Sequence, residues 1–78
     1  MPTVLRLLGF RFFFYSNEGS EPPHIHIEKD EREAKFWLEP VELASSNGFS
    51  AKEINQLRKI TLEYQQQFKK AWHEYFSP

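Results

Sequence analysis

Seventy-eight residues with a formal net charge of −1 and 17% aromatic side chains describe one small domain with a core built from large rings, because a chain of this size buries only about 60% of its unfolded surface. The near-balanced charge excludes a broad basic surface that coats nucleic acid non-specifically, and leaves only a local basic patch of that class. With no cysteine there is no disulfide framework, no thiolate nucleophile and no Cys-type zinc site.

The first residues carry neither a long apolar run nor a small-residue cleavage pattern, so the expectation is a cytoplasmic protein with no membrane span. Thr3 to Leu7 reads as a short strand, and Leu8-Gly9 as a tight turn, since glycine accepts the positive φ that hairpin turns need. Phe10 to Ser16 reads as a second strand, with Phe10, Phe12 and Phe14 on one face and Arg11, Phe13 and Tyr15 on the other. Asn17 to Pro23 is loop by composition.

The stretch Pro22-Pro23-His24-Ile25-His26-Ile27-Glu28 organises the rest. Two prolines stiffen its entry, and apolar and ionisable residues then alternate with the period of a strand that has one buried and one open face. Ile25 and Ile27 point one way; His24, His26 and Glu28 point the other. The third strand runs to Lys29, Asp30 to Glu33 turn the chain, and Ala34 to Glu39 form a fourth strand that Pro40 ends.

Val41 to Ala44 is apolar but too short to assign, and Ser45 to Gly48 is loop. Ser50-Ala51-Lys52-Glu53 matches a capping box. A long helix to about Phe76 follows, with Ile54, Leu57, Ile60, Thr61, Tyr64, Phe68, Ala71 and Tyr75 on one stripe. The expected architecture is a single α+β domain over residues 1–78. A three- to four-stranded antiparallel meander lies within residues 3–39, a connecting segment spans 40–49, and one C-terminal helix, about 50–76, packs on one sheet face.

The helix covers Leu5, Leu7, Phe10, Phe12, Phe14, Ile25, Ile27, Ala34, Phe36 and Leu38. The uncovered face carries Arg6, Arg11, Phe13, Tyr15, His24, His26, Glu28, Lys35 and Trp37. The strand pairing expected there sets Tyr15 against His24, Phe13 against His26 and Arg11 against Glu28, and a four-residue turn sets Glu28 against Lys35 and His26 against Trp37.

Cations, flat rings and two histidines on a sheet suit single-stranded RNA, with Phe13, Tyr15 and Trp37 as stacking platforms and Arg6 among the phosphate contacts. The same set can cleave a phosphodiester without metal or other cofactor. One of His24 and His26 takes the 2′-hydroxyl proton, the other protonates the leaving oxygen, and Arg11 or Lys35 stabilises the developing charge. Against this stands a plain alternative, in which Glu28 forms cross-strand ion pairs with Arg11 and Lys35, and the rings and histidines bind a protein. A metal ion on His24, His26 and Glu28 is a further alternative, weakened because ligands two apart on a strand are separated by roughly 6.6 to 6.8 Å of backbone rise. His73 falls opposite the helix stripe and reads as a solvated residue.

A helix from Ser50 to Phe76 would span roughly 40 Å and overhang a domain about 30 Å across. Its end carries Trp72, Tyr75 and Phe76 beside Arg58 and Lys69, which predicts an interface with a second copy or another protein. The alternative is a helix that bends and folds those rings back onto the sheet.

Phe10 to Gly19, Glu21 to Ile27, Ala34 to Leu38 and the ending Trp72-His73-Glu74-Tyr75-Phe76 resemble the bacterial domain-of-unknown-function family 4160, with Glu-Pro-Pro-His-x-His as its most specific mark. The resemblance covers nearly the whole chain. It implies a small cytoplasmic bacterial protein, often encoded beside another small protein in an arrangement like a toxin–antitoxin pair, and it carries no established catalytic residues. The expected function is the toxin-like member of such a module, acting on RNA through the open face, with the protein encoded by the adjacent gene as partner. The alternative is a non-catalytic interaction or regulatory module.

Overall fold

The alternating stretches pair in the order in which they occur. The computed structural model describes residues 3–76: strands β1 (Thr3–Leu7), β2 (Phe10–Phe13), β3 (His24–Lys29), β4 (Arg32–Leu38) and β5 (Val41–Asn47), then helices α1 (Ala51–Glu63) and α2 (Gln65–Phe76). The strands form one antiparallel sheet in the order β1-β2-β3-β4-β5. Helix α1 lies over β4 and β5, and α2 over β3 and β4. Phe12, Ile25, Ile27, Phe36, Leu38, Leu57 and Phe68 are wholly enclosed between these layers, with Leu5 and Leu7 packed at their margin.

The sheet has five strands where the sequence predicts three or four. β5 covers the segment expected to be unassigned and loop, and its serines give no apolar alternation because nearly the whole strand is exposed. Ladder bonds to β4 hold it, with a bulge where Lys35 opposes Ser45 and Phe36 opposes Leu43. β2 stops at Phe13, short of the expected Ser16. Phe14 leaves the ladder and packs its ring among Trp72, Tyr75 and Phe76.

The turn between β3 and β4 contains two residues, Asp30 and Glu31, since Lys29 already opposes Arg32. Asp30 adopts the left-handed conformation, φ 57°, that such tight hairpins require. The shorter turn moves the register by two residues relative to the four-residue expectation. His24 therefore faces Trp37, His26 faces Lys35, and Glu28 faces Glu33. The β2–β3 pairs, Arg11 with Glu28 and Phe13 with His26, stand as read.

The capping box at Ser50 and Glu53 is formed in both directions. The helix it starts is not one rod. It kinks at Tyr64, φ −101° and ψ 14°, although the bonds from Tyr64 N to Ile60 O and from Phe68 N to Tyr64 O continue through the bend. The Thr61 hydroxyl donates to Leu57 O at 2.8 Å, a back-bond that bends helices. The Gln65 side chain donates to Leu38 O at 2.6 Å and ties the bend to the end of β4. Instead of overhanging, α2 turns inward: Trp72 is buried, Phe76 is half-buried and Tyr75 alone of the three is exposed. Among the described residues no helix is long and apolar enough to cross a membrane.

Candidate functional site

The connection from β2 to β3, residues 14–23, folds over the start of β3 and brings a carboxylate to the histidines. Within it, Glu21 N–H donates to Glu18 O at 3.1 Å, and Tyr15 N–H donates to Glu18 Oε1 at 3.3 Å. The turn so made aims the Glu18 side chain at the sheet. His26 Nε2–H donates to its carboxylate, 2.7 Å from Oε1 and 2.9 Å from Oε2. His24 Nε2 lies 2.9 Å from the same Oε1.

The two histidines are not equivalent. His24 is wholly buried, its ring enclosed by those of Trp37, His26 and Trp72 at centroid distances of 5.6, 5.0 and 4.7 Å. Its Nδ1 lies 3.0 Å from Pro22 O. A carbonyl only accepts, so Nδ1 carries the proton, and in the neutral ring Nε2 presents a lone pair to Glu18. That nitrogen is near the carboxylate without the alignment of a hydrogen bond, and makes none. His26 keeps 15% of its side chain exposed and stacks on Phe13 and edge-on to Tyr15. The expectation of partial exposure thus holds for His26 and fails for His24, which lies at the end of the sheet where the loop and the last turns of α2 enclose it.

Burial acts to raise the Glu18 carboxyl, but its interactions with the two nearby imidazoles together outweigh burial and hold the group below its ordinary value. Burial lowers His26 from its ordinary value, against the pull of Glu18 in the other direction. Both directions describe an ionised carboxylate facing a neutral His26. Tyr15 is raised by burial and then by the nearby carboxylates of Glu33, Glu28 and Glu18.

The other predicted residues divide around this centre. Lys35 lies 4.5 Å from the centroid of the Trp37 ring, and it pairs with Glu21 of the loop at 2.8 Å. Arg11 pairs with Glu28 at 2.8 Å and covers Phe13 at 4.4 Å from its centroid. Phe13 is therefore buried beneath Arg11, Tyr15 and His26, and offers no free face for stacking. Glu28 leaves the histidines for Arg11, so the ligand set His24, His26 and Glu28 does not form. Arg6 is exposed at the far end of the face, in a depression with Arg11, Glu28 and Asp30. Trp72 and Phe76 pack against the core or the loop rather than forming an exposed apolar end, and His73 is exposed as read.

Glu18 is the residue that reading strand alternation misses, because it stands in a loop chosen for its turn-forming composition. The usable signal was a pair of acidic residues, Glu18 and Glu21, inside the connection between a ring-rich strand and the His-x-His strand. Beside the centre, His26, Tyr15, Lys35, Glu33 and Ser45 line a polar cleft of about 300 Å³. A depression of about 550 Å³ between β1 and α2 lies away from these groups. An imidazole oriented by a carboxylate at the wall of a polar cleft is an acid–base pair, and two imidazoles with one carboxylate are also a set of metal ligands. Glu18, His24 and His26 offer ligand atoms that all lie within 4.8 Å of one another.

A family model described as "Domain of unknown function (DUF4160)" matches residues 9–73. No curated protein and no solved structure matches the chain.

Proposed function

We propose a function from the site itself, because the chain belongs to DUF4160, a family described only as a domain of unknown function: the protein acts on RNA phosphodiesters as the toxin-like member of a two-gene module, with Glu18 and His26 at the reacting centre. The observation that carries this reading is the Glu18–His26 pair at the wall of a polar cleft that also contains Lys35 and Tyr15. In this reading the centre takes the 2′-hydroxyl proton, the freed oxygen attacks phosphorus, and the departing 5′-oxygen is protonated from water. Lys35 and Arg11 flank the path of a phosphate. Their present partners, Glu21 and Glu28, are about 40% exposed, so a phosphate displaces them without uncovering a buried charge. His24, being enclosed, packs behind the centre rather than transferring protons to substrate.

Purified protein incubated with end-labelled single-stranded RNA tests the reading. Cleavage should fall at least tenfold in His26→Ala with the fold retained, and expression of the chain alone should arrest growth unless the adjacent gene is co-expressed. Intact RNA at high protein concentration, with no growth effect, would reject it.

One observation favours the non-catalytic alternative. β5 is an exposed edge strand whose outer backbone groups have no sixth strand to pair with among the described residues, and such an edge accepts a strand from a partner. Co-purification with the neighbour-encoded protein, lost on placing proline at Ser45, would support it.

A further inference from the structure

We infer that Glu18, His24 and His26 form a mononuclear site for a first-row divalent transition-metal ion of the zinc type, held by two imidazole nitrogens and one carboxylate. The inference goes beyond the proposed reaction, since the ion binds whether or not RNA is the substrate.

The first ground is the orphaned nitrogen. His24 is wholly buried, yet its Nε2 has no hydrogen-bond partner, a rare and costly condition for a buried polar atom. A lone pair set 2.9 Å from a carboxylate oxygen repels it unless a cation joins them. The second ground is how the ring is held. Nδ1–H is committed to Pro22 O, which fixes the tautomer and turns Nε2 inward, as backbone carbonyls do for metal-ligating histidines. The stiff Pro22-Pro23 pair supplies that carbonyl immediately before the strand.

The third ground is scale. Zinc bonds of about 2.0 to 2.2 Å place neighbouring tetrahedral ligands roughly 3.3 to 3.6 Å apart. Here both Nε2 atoms lie 2.7 to 2.9 Å from Glu18 Oε1, and all the ligand atoms fall within 4.8 Å. The cluster is contracted about one shared oxygen, and modest rotation of Glu18 admits an ion. The ion replaces the proton between His26 and Glu18, which moves to Nδ1 of His26. The backbone-rise objection to three ligands on a single strand disappears, because the third ligand comes from the loop. Three protein ligands leave a coordination position for water or substrate, as catalytic sites do, and His26 places it beside the polar cleft.

A competing arrangement is a proton on His24 Nε2, giving a buried imidazolium–carboxylate pair with no metal. Calorimetric titration of the chelator-stripped full chain with zinc chloride separates the two. The expected result is one ion per chain with Kd at or below about 10 μM, weakened at least tenfold in Glu18→Gln and in His26→Ala, and unchanged in His73→Ala. In the unaltered protein, cobalt chloride should give the visible absorption of a four- or five-coordinate nitrogen–oxygen site, which reads the ligand set even where a variant fails to fold. Absence of saturable binding, affinity that survives Glu18→Gln, or loss of binding in His73→Ala would overturn the inference. RNA cleavage is scored separately: zinc binding without cleavage rejects the RNA reading alone, and cleavage in chelator by a protein that binds no zinc rejects the metal alone.

Discussion

The Trp72 indole lies 4.7 Å, centroid to centroid, from the His24 imidazole, so the last turns of α2 form one wall of the histidine cluster. Phe14 meets the same indole edge-on at 5.3 Å. The residue whose place in the sequence suggests an interface anchor is thus a structural link between helix, loop and sheet.

Trp72→Ala should accordingly destabilise the domain by about 3 to 5 kcal/mol, a large part of the 5 to 15 kcal/mol typical of small proteins. Tyr75→Ala, at a position 43% exposed, should stay within about 1 kcal/mol of the parent. Urea denaturation midpoints check both. Equal effects would contradict the inward path of α2.

How much of this was legible depends on the range of the interaction that decides it. Ile25 and Ile27 against Phe12 and Phe36 follow from period-two alternation, and the capping box from three residues' spacing, so strand β3, the core and the helix start are readable. The register of β4 hinges on whether two or four residues turn at Asp30, and composition alone does not distinguish them. β5 carries no burial pattern, being an edge. The kink at Tyr64 has neither proline nor glycine to announce it and depends on Thr61 and on the Gln65 bond to Leu38 O. Glu18 reaches the histidines only because the loop folds back, which is a tertiary fact.

The β1–β2 turn offers a gain in stability. Leu8 adopts φ 54° and is 63% exposed, so it bears left-handed strain with little burial to offset it. That conformation costs an ordinary residue about 1 to 2 kcal/mol, and asparagine tolerates it better. Leu8→Asn should raise stability by about 0.5 to 1 kcal/mol, read as a higher thermal midpoint. A lower midpoint would mean that the leucine side chain contributes through contacts at the sheet edge.

Acid should loosen the start of α1. The Ser50 backbone N–H, and then the Arg32 guanidinium with its bond to the carboxylate, hold Glu53 below its ordinary value of 4.5 against the opposing effect of burial. A carboxyl lowered in the folded state binds fewer protons there than in the unfolded chain, so its contribution is complete above 4.5 and is lost as pH falls through the lower folded value. Glu53→Gln should therefore be less stable than the parent at neutral pH and converge with it in acid. Parallel stability curves down to pH 2 would remove the cap from the account.

The sharpest separation is between two histidines that the sequence presents as equals. His24→Ala removes a ring enclosed by Trp37, Trp72 and His26, opens a cavity among them and leaves Pro22 O without its donor. The cavity alone costs about 2 to 5 kcal/mol on the scale of large-to-alanine core changes, and the lost bond adds to it. His26→Ala strips one donor from Glu18 and one face from Phe13, but its ring reaches solvent, water replaces the donor, and about 1 to 2 kcal/mol is expected. Guanidinium denaturation of the metal-free variants reads the difference directly. A His24→Ala protein as stable as His26→Ala would show that the buried ring is not part of the packed structure, and would remove the fixed orientation of Nε2 on which the proposed metal site depends.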